Sequence, residues 1–490
     1  MLVTTLPPEI LEEVAELDTG LTPTDALDLV AKDLMPKYVM ERRNLDRIDR
    51  WWRWDHDLAH RPRQATPEYR ELIKLAPTPW LGLVVTELAQ GLFVEGYRRA
   101  KDPDNAGGWQ YWQANRMDGR QMGIHRAALA YGLSYATVLP GEDPLTGNPM
   151  PIIRGCSPRR GMAFYEDPAY DEWPEFFLQV DPVAASKWKV RLFTEQEVHL
   201  FSADTGGSSL THEGVRVHAI GVCPVVRYSN MLDLEARADG EVDPYIAVAG
   251  RINQTVADRL IVQRFASWKV RTITGMAKPD DLSEADQAKM RLKIEDILIA
   301  EDPDTRFGTL PETGLQGFVE ARDADIHDLA AVTQIPPYAL LTGKMSNLSA
   351  DALAAAAAGL NNKIIERQHG FGESHEQTLR LACSVAGDDV GARDVAAQVR
   401  WKDMGSRSLA QAADALGKLA QMLGVPVEML WEQIPGWTDQ DVQRAKDLAK
   451  ESGGMNALMN ALTASTAPPG PTPAPAPAPT PVPGPTGAGA

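Results

Sequence analysis

"IPPYALLTGKMSNLSADALAAAAAGLNNKIIERQ", residues Ile335 to Gln368, holds the sharpest change of character in the 490-residue chain. Pro336 and Pro337 stop any helix arriving from the N-terminal side, because proline lacks an amide N–H and restricts the residue before it. A short loop with Gly343 and Lys344 follows. The five consecutive alanines Ala354–Ala358 then open one of the strongest helix-forming stretches in the sequence. Alanine favours the helix while leaving its flank nearly bare, which suits close approach by another backbone. Gly359, directly after the alanines, offers a place to bend.

Upstream, "GFVEARDADIHDLAAVTQ" predicts a helix over 317–334, with Phe318, Ile326 and Leu329 on one side and Glu320, Asp323, Asp325 and Asp328 making much of the rest acidic. "DPYIAVAGRINQTVADRLIVQRFASWKV" predicts another over 244–269, about 39 Å long at ~1.5 Å per residue. Tyr245, Val248, Ala249, Ile252, Val256 and Leu260 form its apolar stripe. Residues 270–316 between the two helices read as a short mixed unit. It holds a helix opened by the capping pattern of Ser283 and Asp286, then "ILIA" and "RFGTL". Residues 134–230 are strand-rich, with β-branched and aromatic runs such as "KWKVRLFT" and "CPVVRYS" separated by Gly, Pro and Asp.

The N-terminal part is helical. Thr22 is placed to cap a helix with Pro23 at its first position. "YVMERRNLDRIDRWWRWDHDLAHR", "WLGLVVTELAQGLFVEGY" and "GRQMGIHRAALAYGL" continue it. Near the C-terminus, "SLAQAADALGKLAQMLG" and "TDQDVQRAKDLAKE" predict a further helix pair. Residues 1–24 read as a flexible leader, and 464–490, a Pro/Ala low-complexity run, as a disordered tail. The fold class is α+β, mainly helical.

Several chemistries are disfavoured. A net charge of −18 argues against tight DNA binding by the whole chain, since that affinity comes from neutralising phosphates; it is compatible with transient handling of DNA. Cys156, Cys223 and Cys383 are far apart and odd in number, which points to a reducing compartment without disulfides or a cysteine metal site. The acidic N-terminus is not a signal peptide, and no apolar run is long enough to span a membrane. Gly343-Lys344 is followed by Met345, and Tyr338 stands five residues before Gly343, so no P-loop is present. His56 and His60 in "HDLAH" imitate a zinc helix but lack its Glu and a third ligand; a solvated helix face is the preferred reading. "EDPD" at 301–304 reads as a solvated turn. "WWRW" at 51–54 reads as a packing cluster, against a neighbouring subunit or the strand region, in preference to a stacking platform for bases. No catalytic residue, metal or cofactor is expected, and the chain reads as a non-enzyme.

The order of elements, with the words "YGLSYATVLPG", "VCPVVRYSNM", "GRINQTVADRLIVQRFASWKVRTITG", "LAAVTQIPPYALLTG" and "NLSADALAAAAAGLNNKIIERQHGFGE", resembles the portal proteins of tailed bacteriophages, closest to the SPP1-like portal family of actinobacterial phages. The likeness covers roughly residues 25–450. It implies a portal fold assembled into a dodecameric ring at one capsid vertex. The wing would be 25–243, the first stem helix 244–269, the clip 270–316 and the second stem helix 317–334. The tunnel loop would be 335–348, the long helix and its return to the wing 349–400, and the helical crown 401–463.

The resemblance implies that Tyr338, Leu340, Leu341, Thr342, Gly343, Lys344, Met345, Ser346 and Asn347 line the channel, a mostly neutral loop that touches passing DNA without gripping it. Lys344 would be its one cation. Glu320, Asp323 and Asp328 are channel-facing candidates, and the sequence leaves open whether they face outward or lie between subunits. Lys269, Arg271, Lys278, Lys289, Arg291 and Lys293 are candidates for binding partners at the clip, with a plain solvated surface as the alternative for each. The implied partners are double-stranded DNA without sequence preference, the terminase, head–tail adaptors, and the scaffolding and major capsid proteins. The implied location is the virion, after assembly in the host cytoplasm. Rival readings are the terminase motor, disfavoured by the missing P-loop, another head–tail connector ring protein, and a monomeric scaffold.

Overall fold

The computed structural model describes residues 20–55, 67–99, 107–184, 186–204, 209–266, 271–274, 306–309, 314–340, 350–402, 409–434, 437, 441–442 and 444–451. Thr22 caps α1 (Pro23–Leu29), its hydroxyl accepting from the Asp25 amide at 3.2 Å, with Pro23 in the first helical position. A widened turn over Val30–Leu34 leads into α2 (Met35–Trp52). Helices α3 (Pro67–Lys74) and α4 (Trp80–Gln90) follow.

The sequence reads "WLGLVVTELAQGLFVEGY" as one helix, and here the structure differs. Helix α4 stops at Gly91, and Val94–Arg98 is a strand, β1. Val94 and Tyr97 are buried in it, and β1 pairs antiparallel with residues 398–401 from the far end of the unit. Tertiary pairing of β-branched and aromatic side chains overrides local helix preference there. Helices α5 (Trp109–Ala114) and α6 (Met117–Tyr131) come next.

Eight strands then run from β2 (Leu133–Glu142) through β3 (Pro149–Cys156), β4 (Gly161–Phe164), β5 (Phe176–Ala184), β6 (Lys187–Phe193), β7 (Glu197–Asp204) and β8 (Leu210–Val217) to β9 (Val225–Ser229). They form two antiparallel sheets, β3–β2–β9 and β4–β5–β6–β7–β8. The larger sheet shows the two-residue period of a covered strand. Leu178, Val180, Val190, Leu192, Phe201 and Ala203 face α1 and α2, sharing a core with Ala26, Val30 and Tyr38. Phe177, Phe193 and Val198 point the other way, to Tyr135 and Val225 of the smaller sheet.

After a 3₁₀ turn at Asp243–Tyr245 comes α7 (Ile246–Ala266). Strands β10 (Arg271–Thr274) and β11 (Arg306–Thr309) pair antiparallel. Helix α8 (Gln316–Thr333), the short α9 (Pro337–Leu340) and the long α10 (Ala350–Val385) follow. Helix α11 (Asp389–Ala392) and β12 (Gln398–Trp401), the partner of β1, end the first compact unit at Lys402. The second unit, from Asp403, holds α12 (Leu409–Leu423), α13 (Val427–Leu430), a 3₁₀ turn at Trp431–Gln433 and helical residues 444–451.

The main core gathers α4, α6, the smaller sheet, α7, α8 and α10 around Val84, Leu88, Leu129, Tyr228, Ile252, Leu329 and Phe371. Two of the three clustered tryptophans join it. Trp52 meets Tyr131 edge-on at 5.5 Å, and the Trp51 ring lies against Gly250 of α7. The cluster therefore packs within its own chain, with Trp54 left exposed. Gly240 shows how closely the backbone is fitted. A methyl group there would stand 2.4 Å from the Ala130 carbonyl oxygen.

Candidate functional site

Helices α7 and α8 lie antiparallel, and both pair by their apolar faces. Ala249, Ile252 and Ala257 of α7 and Ile326, Leu329 and Ala330 of α8 are buried. Polar links run along the seam. The Arg251 guanidinium reaches Asp325 at 2.6 Å and Asp328 at 2.7 Å. The Tyr245 hydroxyl donates to the Val332 carbonyl at 3.3 Å.

The three acidic candidates on α8 therefore differ. Asp328 is 65% exposed and shares Arg251. The Asp323 side chain is only 16% exposed, with Arg322 at 3.7 Å. Glu320 is exposed and accepts from the Gln316 amide at 3.0 Å. Gly317, Ala321, Ala324 and Ala331 are also exposed, alongside Gln316, His327 and Val332.

The end of α8 is held by a buried ionic junction. Gln334 turns left-handed at φ 60° and closes the helix before Pro336. The Lys363 ammonium, projecting from α10, donates to the Thr333 carbonyl at 3.2 Å and to Glu241 at 2.6 Å. It thus serves as a C-terminal cap supplied from another helix, where a cation also suits the helix dipole. Arg367, one turn further along α10, donates to Asn230 at 2.6 Å and to Glu241 at 3.3 Å. All four side chains are buried; the one carboxylate is shared by two cations, and Arg367 also reaches Glu366, an exposed carboxylate outside the cluster, at 3.1 Å.

The segment after the junction differs from the loop expected of it. Ile335 and Pro336 are buried, and Pro337–Leu340 make a helical turn. Leu340, expected to line a channel, packs into the main core instead, and Tyr338 is half-buried. The apolar Leu340 side chain gains more from burial than from exposure on a loop. Leu341, Thr342, Gly343, Lys344, Met345, Ser346 and Asn347 lie outside the described residues. So do Lys269, Lys278, Lys289, Arg291 and Lys293, along with His56, His60, "EDPD" and the proline-rich tail. Arg271 begins β10, opposite Thr309.

Further along α10 the core contains a histidine pair. The His125 Nδ1–H donates to the Leu92 carbonyl at 3.0 Å, so its Nε2 accepts from His375 Nε2–H at 2.7 Å. His375 Nδ1 then accepts from the Tyr228 hydroxyl at 3.0 Å. This one-way chain requires both rings to be neutral. Burial lowers the His125 pKa to about 4 and that of His375 well below its usual value.

Burial raises the Cys156 thiol to about 12 and Cys383 to about 11, so both are inert thiols, and all three cysteines are unpaired. Among the described residues, no cluster of three or more His, Cys, Asp or Glu side chains is arranged to hold a metal, and no helix is long and apolar enough to cross a membrane.

Sequence reasoning missed the junction and the histidine pair. The signal was the four-residue step Lys363, Arg367, Phe371, His375, Leu379, which puts two cations and a histidine on the buried face of α10.

Comparison with known proteins gives the family. A portal protein of Mycobacterium phage L5 is 28% identical over 362 residues, covering 70% of this chain and 72% of that protein. The portal protein of Mycobacterium phage D29 is 27% identical over 370 residues, covering 70% and 73%. A chain from the virion of a native gene transfer agent particle superposes with a TM-score of 0.44 at 11% identity, over 75% of this chain and 92% of that one; a likeness so slight supports nothing further. The family model described as "Phage portal protein, SPP1 Gp6-like" matches residues 32–455, from the turn before α2 into the second unit, and the chain belongs to that family of phage portal proteins.

Proposed function

We propose that copies of this chain close into a dodecameric ring at one vertex of a tailed-phage capsid. Double-stranded DNA passes through the ring when the genome is packaged and again when it is ejected. The observation that carries this reading is the family match across residues 32–455. In this assignment α7 and α8 are the stem, residues 270–316 the clip, the tunnel loop is confined to 341–348 because 335–340 pack as a turn against the main core, and 401–463 are the crown. The N-terminal helices and sheets form the wing. The protein is a structural part of the virion and carries out no chemistry. Terminase docks at the clip during packaging and head–tail adaptors replace it later. Scaffolding and major capsid proteins meet the wing during assembly in the host cytoplasm.

The surface of α8 supports the mechanical part of the proposal. Its exposed positions are mostly small or acidic, with Gln316, His327 and Val332 among them and no exposed lysine or arginine. A wall of that kind repels phosphate weakly, where a basic one would act as a brake. The alanine-lined start of α10 favours close side-by-side packing of neighbouring subunits. The junction at Lys363 gives the loop after α8 a fixed root, so that a load on the loop is passed to α10.

Electron microscopy of the purified protein, with native mass determination on the same sample, tests the proposal. Rings of about twelve chains with a central hole are expected, in keeping with closed cyclic assembly. A monomer or dimer at high concentration would refute it.

A further inference from the structure

Two exposed features of opposite charge face solvent in the single chain. The first lies on α6 and the residue that opens it, where Arg116, Gly119, Arg120, Gly123 and Arg126 are exposed at three- and four-residue steps and form one stripe. None of the three arginines has an ion-pair partner among the described residues. A methyl group on Gly119 or Gly123 would meet nothing within 4 Å. The chain's own packing therefore does not call for glycine there, although each glycine weakens the helix relative to alanine.

The second feature is the turn from Glu166 to Glu175, between β4 and β5, with five carboxylates and no basic residue in ten positions. It is held firmly. The Asp167 amide donates to Asp171 at 2.6 Å, Arg227 donates to the Pro168 carbonyl at 2.8 Å, and Gln377 donates to the Glu172 carbonyl at 3.0 Å. At its tip Tyr170 is 74% exposed. An exposed tyrosine on a rigid acidic turn resembles the anchors that carry protein interfaces.

We propose that this turn of one copy docks on the arginine–glycine stripe of the next. The Tyr170 ring lies over Gly119 and Gly123, where the missing side chains let it approach the helix backbone. The arginines reach the carboxylates and the face of the ring. The stripe and the turn are different surfaces of one chain, so the contact is head-to-tail, the kind that closes rings. Charge complementarity selects a second copy as the occupant. It also gives an acidic protein a way to associate despite its net repulsion. The inference rests on the ring proposed above.

The test uses the full-length chain at physiological and at high salt, with ring fraction read by native mass and microscopy and folding checked by circular dichroism. The Arg120→Glu, Arg126→Glu double variant should lower the ring fraction about tenfold at physiological salt, the scale of a strained charge contact. Adding Glu166→Arg and Glu175→Arg should restore rings, and Tyr170→Ala alone should weaken them. Unchanged rings in the folded double variant would overturn the contact and leave the ring standing. So would a loss that the opposite reversal does not rescue, or intact rings that have merely lost affinity for duplex DNA, which would assign the stripe to phosphate. Wild-type chains that never form rings would overturn the proposed ring, and the contact with it.

Discussion

At the scale of single residues, Glu241 is the position on which most depends. It is 3% exposed and is the single buried carboxylate shared by two cations, Lys363 and Arg367. Glu241→Gln leaves two buried positive charges facing a neutral group and should destabilise the chain by about 3–5 kcal/mol, measured by urea unfolding. Adding Lys363→Met removes one of the stranded charges and should recover part of that loss; a double variant no better than the single one would argue against charge as the cause. His125 gives a pH prediction. Its folded pKa of about 4 lies below the ordinary 6.5, so between those values the unfolded chain binds a proton that the folded chain refuses. Stability is therefore full above pH 6.5 and falls as pH drops toward 4, by ~3 kcal/mol for this residue alone. His375, His199 and His218 shift the same way through burial and add to the fall. Unfolding midpoints that stay level from pH 7 to pH 5 would contradict it.

At the scale of elements, the α7–α8 pair tests which force holds it. Arg251 joins Asp325 and Asp328 from a position 51% exposed, where solvent screens the charges. Arg251→Ala should cost under about 1 kcal/mol. Ile252→Ala, in the fully buried seam, should cost about 2–5 kcal/mol. Thermal midpoints of the two variants give the comparison, and equal losses would refute the apolar account. Elements encoded by near neighbours were legible in the sequence. Thr22 with Pro23 marks the start of α1, the Pro-Pro pair stands just past the end of α8, and the alanine run marks α10. Elements decided by distant partners were not. Strand β1 follows directly on a helical pattern, and its pairing partner lies some three hundred residues away. Leu340 sits in a loop-like context and is drawn into the core by neighbours that sequence spacing does not reveal.

At the scale of the whole molecule, the family was legible because several words occur in one order, and no single word would have sufficed. The site was less so, because its charged members are brought together only by the fold: Asn230 and Glu241 come from the segment before α7, and Lys363 and Arg367 from α10. The division after Lys402 makes a further prediction. A chain ending at residue 402 keeps β12 and the complete main core, and it should unfold in one cooperative transition, followed by circular dichroism. Deleting 464–490, a composition without the means to bury a core, should leave ring closure intact when viewed by electron microscopy.

The pairing of β1 with β12 also sets a schedule. Phe93 and Val94 stand opposite Lys402 and Trp401, so this part of the body cannot close until nearly the whole first unit has left the ribosome. At ~5–20 residues per second, the roughly three hundred residues between the two strands take about 15–60 s to make, and for that time Val94 and Tyr97 lack their partner strand. Contacts of such sequence separation are also slow to form once the partner arrives. Supply of finished chains is then paced by translation and by protection of the first hundred residues as much as by any later step.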